Sequence, residues 1–160
     1  MAVARMHVRS WQAGYRGLIS SAFLDGLRPE DRASRYQFGG DDPKSPRTML
    51  AIDEERVVGL ATIAASRSDD LPGWGELFAL YVDPEWWGRG VGRELIGSAR
   101  AHLREMGFRK AMLWVLVGNA RAERFYRADG WAPDGVERRI TIMNLDLDEL
   151  RYVRSLEESV

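Results

Sequence analysis

Apolar positions along this chain recur with two periods, and each change of period marks a new element. Val8, Trp11, Tyr15, Leu18 and Ala22 fall at helical spacing, so residues from about Val3 to Leu27 read as helix. Gly14 and Gly17 interrupt that stretch and predict a break near them. Pro29-Glu30-Asp31 opens a second helical run toward Phe38, with proline in its permitted first turn and acids near the N-terminus. Gly39 to Pro46 is loop by composition. Thr48–Ile52 and Val57–Ala65 read as strands joined by the polar turn Asp53–Arg56, a hairpin. After a loop over Ser66–Gly73, Trp74–Val82 is almost wholly apolar, as in a strand buried on both faces, and Asp83-Pro84 ends it. Val91, Leu95, Ala99 and Leu103 then mark one face of a helix running to Met106, with Gly107 as its C-terminal cap. Lys110–Val117 reads as a buried strand, and Asn119 caps a short helix through Arg127 that Asp129-Gly130 ends. Arg139–Leu145 alternates as a final strand, and the charged remainder from Asp148 reads as a short helix or a frayed tail. The order describes one α/β domain over residues 1–160.

The turn between the central strand and its helix carries the chemistry. Gly88, Gly90 and Gly92 let the backbone turn tightly and leave its N–H groups bare, at the positive end of the following helix. Strand, bare-amide turn and helix N-terminus together form a site for a phosphate or pyrophosphate. The glycine spacing does not fit the dinucleotide fingerprint, and the lysine of the ATP-binding loop is missing.

Composition narrows the field by exclusion. A net charge of −1 argues against nucleic-acid binding by bulk charge. Without cysteine there are no disulfides, thiolate metal sites or cysteine nucleophile, and His7 and His102 alone give a zinc site or histidine triad little to build on. No metal is expected. No apolar run spans a membrane and no signal-peptide core opens the chain, so a soluble cytoplasmic protein is the expectation.

Two blocks resemble the motifs of the GNAT superfamily of N-acetyltransferases. In the first, a strand ending in Val-x-Pro leads to (Arg/Gln)-x-x-Gly-x-(Gly/Ala) and a helix; here it is Val82-Asp83-Pro84 followed by Trp87-Gly88-Arg89-Gly90-Val91-Gly92. Trp87 departs from the family's Gln or Arg. The second is Asn119-x-x-Ala122-x-x-Phe125-Tyr126-x-x-x-Gly130-Trp131, with Trp131 for the usual Phe. The resemblance covers nearly the whole chain. It implies a mixed central sheet with flanking helices, splayed central strands, and a first edge strand that is missing or reduced here.

It also implies acetyl transfer from acetyl-CoA to a primary amine by direct attack in a ternary complex. Leu80, Tyr81, Val82, Trp87, Gly88, Arg89, Gly90, Val91, Gly92, Arg93, Asn119 and Ala122 would contact the cofactor. A backbone N–H near Leu80–Val82 would hold the oxyanion. Glu76 is the candidate base and Tyr126 the candidate acid or donor to the leaving sulfur. Strand alternation puts Glu76 on one face with Trp74, Phe78 and Leu80, an apolar setting that would raise its pKa. Trp11, Tyr15 and Tyr36 are candidates for the acceptor wall, with core packing as the competing reading. The acceptor would be a small-molecule amine or a protein amine. A homodimer is common in the family, with the C-terminal strand and tail as the expected contact. A non-catalytic acyl-CoA-binding or regulatory module is the competing class; the presence of both Glu76 and Tyr126 favours the enzyme.

Overall fold

The structure is a computed structural model that describes residues 1–34, 42 and 45–158. The chain enters on helix α1 (Ala2–Gly14), with no strand before it among the described residues, and continues through α2 (Ser21–Asp25) and α3 (Pro29–Ala33). The predicted break is real: Gly17 has φ 85° and separates α1 from α2. The second helical run toward Phe38 is described only as far as Ser34. The hairpin β1 (Arg47–Asp53)/β2 (Arg56–Ala65) follows, then β3 (Gly75–Val82), a 3-10 turn over Pro84–Trp86, α4 (Val91–Glu105), β4 (Lys110–Leu116), α5 (Ala120–Ala128), β5 (Ala132–Ile142) and β6 (Leu145–Ser155).

These strands form one six-stranded sheet in the order β1-β2-β3-β4-β6-β5. Neighbours run antiparallel except β3 and β4, which are parallel because α4 carries the chain back between them. Leu95, Ile96, Ala99 and Leu103 of α4 are buried against Ala61, Ile63, Leu77 and Leu113 on one face of the sheet. Val3 and Met6 of α1 pack with Leu60 on the other face.

The end of the chain corrects the sequence reading. Residues from Asp148 onward are not a helix or a tail. They continue β6, which pairs with β4 from Lys110↔Ser155 to Leu116↔Glu149 and with β5 on its other side. Leu145, expected to end the last strand, instead begins β6. Met143 and Asn144, both at positive φ (47° and 66°), form the reversing turn. The charges that suggested a tail are spent on cross-strand pairs, Arg139–Asp148 at 2.8 Å and Arg138–Glu149 at 2.9 Å, while Tyr152 is fully buried. With β6 paired on both sides, β5 is the open sheet edge at this end.

A second correction concerns β3. Thr62 of β2 faces Ala79, but Ile63 faces Leu77, so Phe78 is an extra residue in the strand. Strict alternation fails there. Leu77, Leu80 and Val82 all join the core beneath α4, whereas Ala79 and Tyr81 turn toward α1. Glu76, opposite Ala64, therefore lies on the face away from Leu80.

Candidate active site

β3 and β4 are paired only at Gly75↔Ala111 and Glu76↔Met112, and beyond the Phe78 bulge they part. Their separation leaves strand edges without a ladder partner, and a cavity of about 740 Å³ opens beside them. Leu80, Tyr81 and Val82 wall it from β3, and Trp114, Val115 and Leu116 from β4.

The mouth of the cavity is built by one buried carboxylate and several glycines. Asp83, 1% exposed, accepts the Glu85 backbone N–H at 3.0 Å and pairs with Arg56 at 3.0 Å and Arg9 at 3.2 Å, so it pins the turn that follows β3. Gly88 (φ 75°) and Gly90 (φ 86°) hold left-handed conformations that other residues rarely adopt. Gly90 is the N-cap of α4 and contributes no side-chain cap, so the first helical N–H groups remain available to a ligand. Two close approaches fix the helix: a Cβ at Gly59 would lie 2.8 Å from Leu95, and one at Gly92 would lie 3.2 Å from Phe125.

The structure brings most of the predicted cofactor residues together. Trp87, Gly88, Gly90, Val91, Gly92, Arg93, Asn119 and Ala122 all border the cavity. Arg89 is not on its wall; its guanidinium lies over the Trp86 ring at 4.9 Å. Asn119 caps α5 by accepting the Ala122 N–H at 3.2 Å. Trp87 donates its indole N–H to the Val82 carbonyl at 3.0 Å.

Tyr126 also borders the cavity, with Tyr15 and Tyr81 near it. Burial pushes the pKa of all three phenols up, Tyr126 far above its ordinary value of 10, so they remain donors at neutral pH. Glu76 stands apart, 5% exposed, in an adjoining hollow of about 450 Å³. Trp114 borders both spaces. Burial raises the pKa of Glu76, opposed by the Arg67 N–H that donates to Oε2 at 3.2 Å and by the charges of Arg67 and Arg138. Trp11 is a core residue, 6% exposed and edge-on to Tyr15 at 4.9 Å, and it does not border the cavity. Tyr36 lies outside the described residues.

Sequence reasoning missed Glu149, Arg121 and the turn-pinning role of Asp83. Glu149 borders the cavity from β6, the segment read as a tail. Arg121 borders it from the first turn of α5. Among the described residues no group of His, Cys, Asp or Glu could hold a metal ion, and no helix is long and apolar enough to cross a membrane.

A mixed sheet whose central strands part beside an uncapped helix N-terminus defines the α/β class to which this chain belongs. The profile of the acetyltransferase (GNAT) family matches residues 10–131, and the chain belongs to that family. The chain is 27% identical over 136 residues to the uncharacterised N-acetyltransferase YuaI of Bacillus subtilis, covering 84% of this chain and 74% of that protein. It is 38% identical over 87 residues to the mycothiol acetyltransferase of Kocuria rhizophila, covering 52% of this chain but only 29% of that longer protein. The PaiA N-acetyltransferase of Thermoplasma acidophilum, solved in complex with coenzyme A, shares the fold with a TM-score of 0.70 at 16% identity, over 96% of this chain and 91% of that one.

Proposed function

We propose that this chain transfers the acetyl group of acetyl-CoA to a primary amine by direct attack, without an acyl-enzyme. The observation that carries the reading is the parting of β3 from β4 beneath the uncapped N-terminus of α4. The residues present fit the group: the left-handed glycine turn offers bare N–H groups for phosphate, and the separated strands offer backbone partners for an extended arm.

In the proposed reaction the amine nitrogen attacks the thioester carbonyl carbon. The carbon–sulfur bond breaks, and the sulfur leaves as a thiol once it gains a proton. Glu76, buried and with a raised pKa, takes the proton that the attacking nitrogen sheds, through an intervening water. Tyr126 hydrogen-bonds or protonates the sulfur as negative charge builds on it. A β3 backbone N–H near Leu80–Val82 carries the oxyanion. The Glu76 hollow is the entry for the acceptor, a small-molecule or protein amine; it holds the proposed base, and Trp114 borders both it and the main cavity.

Calorimetry with acetyl-CoA tests the reading. The wild-type protein is expected to bind. Gly90→Asp, which puts a side chain and a negative charge at a φ of 86°, is expected to abolish binding. Equal binding by both proteins would move the cofactor site elsewhere.

A further inference from the structure

Trp87 occupies the position where the family motif has a polar or basic side chain. Its indole N–H is committed to the Val82 carbonyl, and its ring lies under the Arg121 guanidinium, 3.3 Å from guanidinium carbon to ring centre. At that distance the cation is attracted to the face of the ring.

Arg121 is oddly placed for a structural arginine. It sits in the first turn of α5, where the helix dipole disfavours positive charge. The only acid of that turn, Glu123, accepts from the Tyr152 hydroxyl instead. Among the described residues Arg121 makes no salt bridge. Partial desolvation lowers its pKa, with no carboxylate nearby to oppose that. Its Nη1 reaches toward the end of α1, 3.9 Å from where a Cβ on Gly14 would stand. It borders the same cavity as the turn glycines and Arg93. A ring-seated cation without a salt bridge on the α5 side thus shares a cavity with the bare amides of the α4 side.

We propose that Arg121, seated on Trp87, is the second jaw of a phosphate clamp: it grips the pyrophosphate of acetyl-CoA from α5 while the N-terminal amides of α4 hold it from the other side. The positive charge is thereby presented from position 121, and Trp87 serves as its platform. The inference rests on the acetyl-CoA reading above.

The test is calorimetry with coenzyme A, 3′-dephospho-coenzyme A and pantetheine on wild type, Arg121→Gln and Trp87→Ala. Gln keeps a planar, hydrogen-bonding end group on a shorter side chain and removes the charge. Arg121→Gln should bind coenzyme A and its 3′-dephospho form about ten- to a hundredfold more weakly, as for loss of a charge-assisted pair. It should bind pantetheine like wild type and keep the wild-type melting temperature. Trp87→Ala should show the same ligand pattern, and adding it to Arg121→Gln should weaken binding little further, because both changes remove one contact. Coenzyme A binding unchanged by Arg121→Gln overturns the clamp. So does an equal loss for pantetheine, which would make Arg121 a packing residue, or a loss confined to coenzyme A, which would place it on the 3′-phosphate. If wild type binds no coenzyme A at all, the acetyl-CoA reading itself falls, a result distinct from any of these.

Discussion

The roles proposed for Glu76 and Tyr126 are opposite, and burial would serve both. A phenol with a raised pKa keeps its proton and can only donate; a carboxyl with a raised pKa becomes a stronger base once ionised. Tyr126→Phe keeps the ring and removes the donor. It should cut turnover by roughly ten- to a thousandfold with acetyl-CoA affinity intact; lost affinity with turnover retained at saturation would make Tyr126 a binding residue. For Glu76 the sign of the pH effect follows from linkage. Its folded pKa lies above the usual value of 4.5, so the folded state holds the proton more tightly and stability falls as pH rises through that window. Glu76→Gln removes this penalty. The variant should melt at a higher temperature than wild type near pH 8 and lose the advantage near pH 4, while its turnover drops most near neutral pH and partly recovers at alkaline pH. A variant that tracks wild type in both melting and pH–rate profile would remove Glu76 from the chemistry.

At the scale of elements, docking and turns decide the geometry of the slot. Gly59 lets α4 sit close against β2, and a Cβ there would meet Leu95 at 2.8 Å and the Tyr81 carbonyl at 3.1 Å. Gly59→Ala should cost about 1–3 kcal/mol of stability, as overpacking does, and should weaken acetyl-CoA binding by displacing the helix; chemical denaturation with calorimetry measures both. The β5–β6 turn offers the converse test. Met143 at φ 47° is a poor choice for a two-residue reversing turn. Met143→Asn with Asn144→Gly should stabilise by about 1 kcal/mol. A neutral or lower melting temperature would contradict the turn assignment.

What the sequence disclosed also sorts by scale. The central strand, the glycine turn, the α4 stripe and the capped α5 were legible because each is set by neighbours within a turn or two. The Phe78 bulge was not, because an extra residue is defined only against Thr62 and Ile63 of the partner strand. It reversed the face assignment of Leu80 relative to Glu76. β6 was hidden because its Asp148 and Glu149 look solvated until Arg139 and Arg138 are placed beside them. Arg121 carried no signal at all, since its meaning comes from Trp87, far off in sequence.

For the whole molecule, one space holds the account together: a cavity beside parted strands, bordered by the glycine turn and by the Tyr126 phenol. Trp114 borders both this cavity and the Glu76 hollow, so in the proposed reaction cofactor and acceptor would arrive on either side of that indole. The most direct measurement is free-thiol release from acetyl-CoA with and without a pool of small amines and peptide N-termini, for wild type and Gly90→Asp. The account predicts amine-dependent release by wild type and none by the variant. Acetyl-CoA binding without any amine-dependent release across the pool would contradict it and leave a cofactor-binding module in place of an enzyme.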